Sequence, residues 1–253
     1  TAVFTPSTTS PFSVDSNTLS LEVTDLNDAP VLAGQTTTLT AISEDDANNA
    51  ESDVTTFELA TLIADNALIT DTDTTPLFSN TGIAVTGVSN TNGRWDYSID
   101  SETTWTEITG VSATSVLVLD ESAFIRFIPD STNGTTATLT FLAWDGSDSA
   151  SNGSSVSITA ANQGDDQPYS ANQDTFSLEV TDVNDRPTFS DTSAVVLTPE
   201  ISEGETSTAF NLFTVIDPTT TVTDVDDPTL TNIGVALGSA STTEGEWEYS
   251  EDN

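Results

Sequence analysis

Cysteine, histidine and lysine are absent from this 253-residue chain, and arginine occurs three times. Without Cys there is no disulfide, no thiolate metal site and no cysteine nucleophile. Without His or Lys, two common proton-transfer groups are missing, and this argues against an enzyme. No apolar run is long enough to span a membrane, and no signal peptide opens the chain. The chain begins in mid-pattern at Thr1-Ala-Val-Phe4 and stops in mid-pattern at Glu251-Asp-Asn253, so it reads as a window from a longer protein.

What is present is acid. Forty-one Asp and Glu against three Arg give a formal charge of −38. Such a chain is repelled by nucleic acid and by anionic membrane surfaces. It needs counter-ions, and divalent cations are the obvious ones. Charge of this size also favours disorder, but four Trp, eleven Phe and alternating apolar patterns argue for packed cores. Thr is the commonest residue, and Thr with Val favours strands, so the expected class is all-β.

The chain repeats itself. Leu21-Glu-Val-Thr-Asp25-Leu-Asn27-Asp28-Ala-Pro30 returns as Leu178-Glu-Val-Thr-Asp182-Val-Asn184-Asp185-Arg-Pro187, an offset of 157. Ile42-Ser-Glu44 returns as Ile201-Ser-Glu203, Thr70-Asp71-Thr-Asp73 as Thr223-Asp224-Val-Asp226, and Gly93-Arg-Trp95-Asp-Tyr97 as Gly245-Glu-Trp247-Glu-Tyr249. The order is kept while the offset drifts, as loop insertions in a duplicated domain would cause. Residues 1–28 are read as the tail of one repeat, 29–185 as a complete repeat, and 186–253 as the truncated opening of the next. A minimal immunoglobulin-like sandwich needs about 100 residues, so extra loops or strands are expected.

Strands are predicted at Ile83–Val85, Trp95–Ile99, Val116–Leu119, Phe124–Ile128, Thr138–Leu142, Ser155–Ile158 and Phe176–Val180, with turns at Asn92-Gly93 and Asn133-Gly134. Only Phe57–Ile69 has a helical look. Many short strands with polar turns predict a β-sandwich.

The acids cluster at the boundaries. Calcium takes about six to eight oxygen ligands from carboxylates, carbonyls and water. Asp25, Asn27 and Asp28 form one candidate group, and Asp182, Asn184 and Asp185 a second. Asp71 with Asp73, and Asp224 with Asp226, place two carboxylates at i and i+2, which share one side of an extended stretch. Asp145 follows a strand and precedes Gly146. Asp45 and Asp46 read as solvated surface.

Together these motifs resemble a cadherin-like tandem repeat of the kind found in large bacterial surface adhesins of the RTX type. Asp182-Val-Asn-Asp185-Arg-Pro187 resembles the cadherin linker, Asp71-Thr-Asp73 its Asp-x-Asp motif, and Ala143-Trp-Asp145-Gly146 its Ala-x-Asp-x-Gly strand end. Glu44 resembles the glutamate near each domain's start. The resemblance implies Greek-key sandwiches joined by Ca2+. One joint would draw on Asp25, Asn27 (through its carbonyl), Asp28, Asp71, Asp73 and Asp145. The other would draw on Glu44, Asp182, Asn184, Asp185, Asp224 and Asp226. The family's Leu-Asp-Arg-Glu motif has no clean copy; Leu119-Asp120-Glu121 is the nearest. The function implied is a calcium-stiffened extracellular extender at the cell surface. Its partners would be neighbouring repeats, and beyond them other copies in a fibre or a cell-surface or carbohydrate receptor, with no nucleic acid and no direct membrane insertion. The alternative is a carbohydrate- or partner-binding module using Trp105, Trp144 and Tyr169.

Overall fold

The longest strand forms where the alternation is cleanest. In Tyr169–Thr181, Phe176, Leu178 and Val180 are buried, while Glu179 and Thr181 face out. The computed structural model describes residues 17–47, 54–73, 81–190, 201–212, 214, 222–231, 234–236, 238, 240, 243 and 245–250. Within them the strands are β1 (Val31–Leu32), β2 (Thr36–Thr38), β3 (Ile42–Ser43), β4 (Thr56–Glu58), β5 (Ile69–Thr70), β6 (Gly82–Val88), β7 (Gly93–Ser98) and β8 (Thr106–Glu107). They continue as β9 (Ser115–Asp120), β10 (Phe124–Pro129), β11 (Thr135–Trp144), β12 (Ser155–Ser157), β13 (Tyr169–Thr181), β14 (Thr188–Phe189) and β15 (Val222–Thr223). One short α-helix, α1 (Leu59–Asp65), occupies the stretch with helical character and buries Leu59 and Ile63.

The repeat is all-β and sandwich-like. The larger sheet has the order β12-β9-β6-β11-β13-β2, with β3 also on β13; the smaller has β4-β10-β7-β8. β2 and β3 run parallel to β13, so the first and last parts of the repeat lie side by side. Between the sheets, Ile83, Leu119, Leu139, Phe141 and Phe176 meet Trp95, Ile125 and Phe127. Phe141 and Phe176 stack at 4.5 Å, and Trp95 meets Phe127 edge-on at 5.4 Å.

A second apolar layer accounts for part of the length beyond a minimal sandwich. β6, β9 and β11 are buried on both faces. On the outer face Ala84, Val116, Val118, Leu142 and Trp144 are covered by Ile158 and Tyr169. The cover comes from the long connection between β11 and β13, which carries β12.

The two Asn-Gly dipeptides predicted as turns both lie in connections, but neither joins paired strands. Asn92-Gly93 leads from β6 to β7, and Asn133-Gly134 from β10 to β11; each crosses between the sheets. Gly93 has φ +156°, and a Cβ there would lie 2.5 Å from the Ile128 carbonyl oxygen and the Phe127 ring. Gly93→Ala is therefore expected to cost about 1–3 kcal/mol through overpacking. A urea midpoint equal to wild type would contradict this.

The third segment contrasts with the second. Trp95 is fully buried, whereas its sequence counterpart Trp247 is 61% exposed. Trp95 is covered from β10, where Phe127 lies opposite it. No described helix is long and apolar enough to cross a membrane.

Candidate metal centres at the two joints

At the first joint the linker lies against three loops of the complete repeat. The Asp28 N–H donates to Asp73 Oδ2 at 2.7 Å, and Thr72 Oγ1 donates to Asp28 Oδ2 at 2.9 Å. Asn27 Nδ2 donates to Asp145 Oδ2 at 3.0 Å and to the Gln167 carbonyl at 3.3 Å. The Ala29 N–H donates to the Asp165 carbonyl at 2.7 Å. Thus Asn27, Asp28, Asp71, Asp73 and Asp145 are brought together from positions far apart in sequence. Asp25 stays exposed, outside this set of contacts.

At the second joint, parallel pairing delivers the glutamate. Thr181 lies opposite Ser43, and Thr181 Oγ1 donates to the Ile42 carbonyl at 3.1 Å, which seats Glu44 against the linker. Glu44 is fully buried, and its Oε1 accepts from the Val183 N–H at 2.8 Å. The Asp185 N–H donates to Asp226 Oδ2, repeating the Asp28–Asp73 contact. Asn184 is exposed and bonds the Asp185 carbonyl, as Asn27 bonds that of Asp28. Asp182 Oδ1 accepts from the Gly134 N–H at 2.7 Å, and the Gly134 carbonyl accepts from Asn92 Nδ2 at 3.1 Å. Gly134 has no room for a side chain: a Cβ would lie 2.8 Å from the Val180 oxygen and the Asp182 nitrogen.

Three expectations need correction, and the nearest copy of the family's Leu-Asp-Arg-Glu motif can be placed. The Asp-x-Asp pairs are not extended: Asp71 Oδ1 accepts from the Asp73 N–H at 2.9 Å, and Asp224 Oδ1 from the Asp226 N–H at 3.1 Å. Each first Asp folds back on the chain in an Asx turn, a habit of this residue. Asp45 and Asp46 are half-buried in a short 3-10 turn (Glu44–Ala47), where Asp46 Oδ2 accepts from the Ser43 N–H at 3.0 Å and helps present Glu44. Asp120 lies opposite Gly82, which itself lies opposite Trp144, so Leu119-Asp120-Glu121 sits at the first-joint end, away from Glu44. Asp120 Oδ1 is engaged by the Ser122 N–H at 2.9 Å. Finally, two of the three rings offered for stacking are buried, and the third, Trp105, is half-buried beside a guanidinium. Trp144 and Tyr169 are each 1% exposed, and the Arg126 guanidinium lies 4.2 Å over the Trp105 ring.

The electrostatics of both joints are unfavourable. Burial, opposed by the Asp73 N–H and reinforced by Asp73, Asp145 and Asp28, raises the Asp71 carboxyl above its usual range. Burial also raises Asp145, against hydrogen bonds from Ser147 and Asn27. Glu44 is raised by burial, opposed by the Val183 N–H and reinforced by Asp182 and Asp185. Among the described residues, six buried side-chain N or O atoms have no hydrogen-bond partner. Four are oxygens of these two groups: Asn27 Oδ1 and Asp71 Oδ2 at the first joint, Glu44 Oε2 and Asp226 Oδ1 at the second. The other two, Thr37 Oγ1 and Trp95 Nε1, have no explanation in the structure.

An orphaned buried oxygen costs about 1–3 kcal/mol. A hard cation would remove that cost and the repulsion together, and the donors present are of the oxygen type that Ca2+ takes. No three described carboxylates converge closely enough to hold a metal as they stand. Backbone amides hold Glu44, Asp73, Asp182 and Asp226. Comparison with protein-family models, curated proteins and solved structures gave no match.

Proposed function

We propose that this chain is a calcium-stiffened extender segment of an extracellular bacterial adhesin or surface fibre, without enzymatic activity. Its Ig-like, cadherin-like Greek-key repeats project a distal binding domain from the cell. The observation that carries the reading is the placement of two orphaned buried oxygens at each joint, among carboxylates drawn from both sides. Asn27, Asp28, Asp71, Asp73 and Asp145 would hold Ca2+ at the first joint, and Glu44, Asp182, Asp185, Asp224 and Asp226 at the second. When bound, Ca2+ supplies charge neutralisation and ligand sharing across the joint. Without it, crowded carboxylates repel and the joint flexes. The parallel contact of β2 and β3 with β13 supports the Greek-key assignment. Extracellular modules commonly bind calcium with Kd of about 10⁻⁴–10⁻³ M, which suits external rather than cytosolic calcium.

The test is small-angle scattering in calcium and in chelator. Calcium is expected to lengthen and sharpen the maximum dimension. An identical distance distribution in the two conditions would remove the mechanical reading. The N–H resonances of Asp28, Val183 and Asp185, which donate to joint carboxylates, should shift on calcium titration and report each joint separately.

A further inference from the structure

The first joint rests on a loop that is closed by one carboxylate outside the ligand set. The connection from β11 to β13 leaves at Asp145 and returns at Tyr169. Its ends face each other, since Trp144 and Tyr169 are cross-strand partners. Asp148 clamps them: Trp144 Nε1 donates to its Oδ1 at 3.0 Å, and the Tyr169 hydroxyl donates to its Oδ2 at 2.6 Å. Both rings are buried, so Asp148 accepts from two donors that would otherwise be costly to leave unmade. Beside the clamp, the Asp145 N–H donates to the Pro168 carbonyl at 3.2 Å. The incoming linker then docks on this closed loop, through Asn27 on Asp145 and Gln167 and through Ala29 on Asp165.

We infer that Asp148 is a positioning residue for the first joint: it fixes Asp145 and the Asp165–Gln167 carbonyls in one frame, on which Asn27 and Asp28 are set. The inference rests on the calcium reading of that joint. Its role in this inference is geometric: Oδ1 accepts from Trp144 and from the Ala150 N–H at 3.1 Å, and Oδ2 from Tyr169, while its charge, which also bears on Asp145, is separated by the asparagine variant. Asparagine can serve the same two rings, its oxygen accepting from Trp144 and its amide donating to the Tyr169 oxygen. Alanine can serve neither.

The experiment is a residue-resolved NMR calcium titration of the whole chain, with the Asp28 N–H reporting the first joint and the Val183 and Asp185 N–H groups the second. Asp148→Ala is expected to weaken calcium binding at the first joint about tenfold, the usual size for loss of a supporting partner, and to leave the second joint unchanged. Asp148→Asn is expected to stay close to wild type. Tyr169→Phe keeps the Trp144 bond, is expected to fall between them, and carries the test if the alanine variant does not fold. Wild-type affinity in the tested variant would overturn the inference. Equal losses in the Asn and Ala variants would assign Asp148 to charge or ligation instead, and equal losses at both joints would assign it to general stability. Absence of any calcium response in the wild type would overturn the parent reading as well.

Discussion

In about 10 mM calcium the repeat over 29–185 is expected to unfold roughly 5–11 °C higher than in chelator at pH 7. A site with Kd of about 10⁻⁴ M is then at about one hundred times its Kd and stabilises by about 2.7 kcal/mol. In a domain of this size, each kcal/mol moves Tm by about 2–4 °C. One such site gives the range above, and further sites add to it. Thermal melts followed by near-ultraviolet circular dichroism would read it, since Trp95 and Trp144 are buried in the two apolar layers.

The increment should depend on pH. Glu44, Asp71 and Asp145 have their carboxyls raised above the ordinary range in the folded protein, so the fold favours their protonated forms. The stability they contribute is fully present below their unfolded values, near 4, and is lost as pH rises through the raised folded values. Chelated protein should therefore lose stability across that window, and calcium, which replaces the proton, should restore more at pH 7 than at pH 4.5. Taking the difference with and without calcium at each pH removes the general effect of discharging a chain of −38. Glu44→Gln offers a further arm. Its amide would stand where Glu44 Oε2 has no partner, beside Asp182. In chelator this variant should match or exceed wild type, by about 1 kcal/mol. Its calcium increment should shrink. Identical melts with calcium and chelator at pH 7 would end the calcium reading; identical increments at the two pH values would end its electrostatic explanation.

The strands were legible because apolar patterning is a local signal, clearest in β13, and the duplicated Asp-x-Asn-Asp motif is as local a signal. What local pattern does not encode is pairing across distance. Nothing around Ile42 announces that β3 runs parallel to the end of β13, yet that pairing buries Glu44 against Val183. The i, i+2 spacing of Asp71 and Asp73 suggested a shared face, but Asp hydrogen-bonding to its own backbone won over extension. Trp144 and Tyr169 read as candidate platforms because nothing near either forecasts a second apolar layer closed by Asp148. Trp-Asp-x-x-Asp, over 144–148, was the available hint: a buried indole needs an acceptor, and an acid four residues on can reach it.

Arg126→Leu is expected to cost about 3–5 kcal/mol, the largest loss from any single substitution considered for this chain. Arg126 stands directly opposite Asp96 on the β10–β7 pair, and both are buried, at 4% and 3% exposed. Its Nη2 lies 3.1 Å from Asp96 Oδ2, its Nε donates to the same oxygen at 3.3 Å, and its plane covers Trp105 at 4.2 Å. Arg94 holds the other Asp96 oxygen at 3.2 Å but is partly exposed. Two of three arginines in a chain of 41 acids thus converge on one carboxylate. Their chief effect is to make one buried aspartate tolerable on the outer face of the smaller sheet, where residues 99–106 fold over it. Removing Arg126 alone leaves that buried carboxylate with only the partly exposed Arg94 as an ion-pair partner and uncovers Trp105. Removing both charges should not: a buried pair exchanged for apolar groups of similar volume is often neutral or stabilising. Arg126→Leu with Asp96→Leu is therefore expected to recover most of the loss, leaving the small cost of freeing Arg94. Urea titration of the two single variants and the double variant decides it. If the double variant is as unstable as the sum of the singles, the effect lies in packing around Trp105 rather than in the stranded charge.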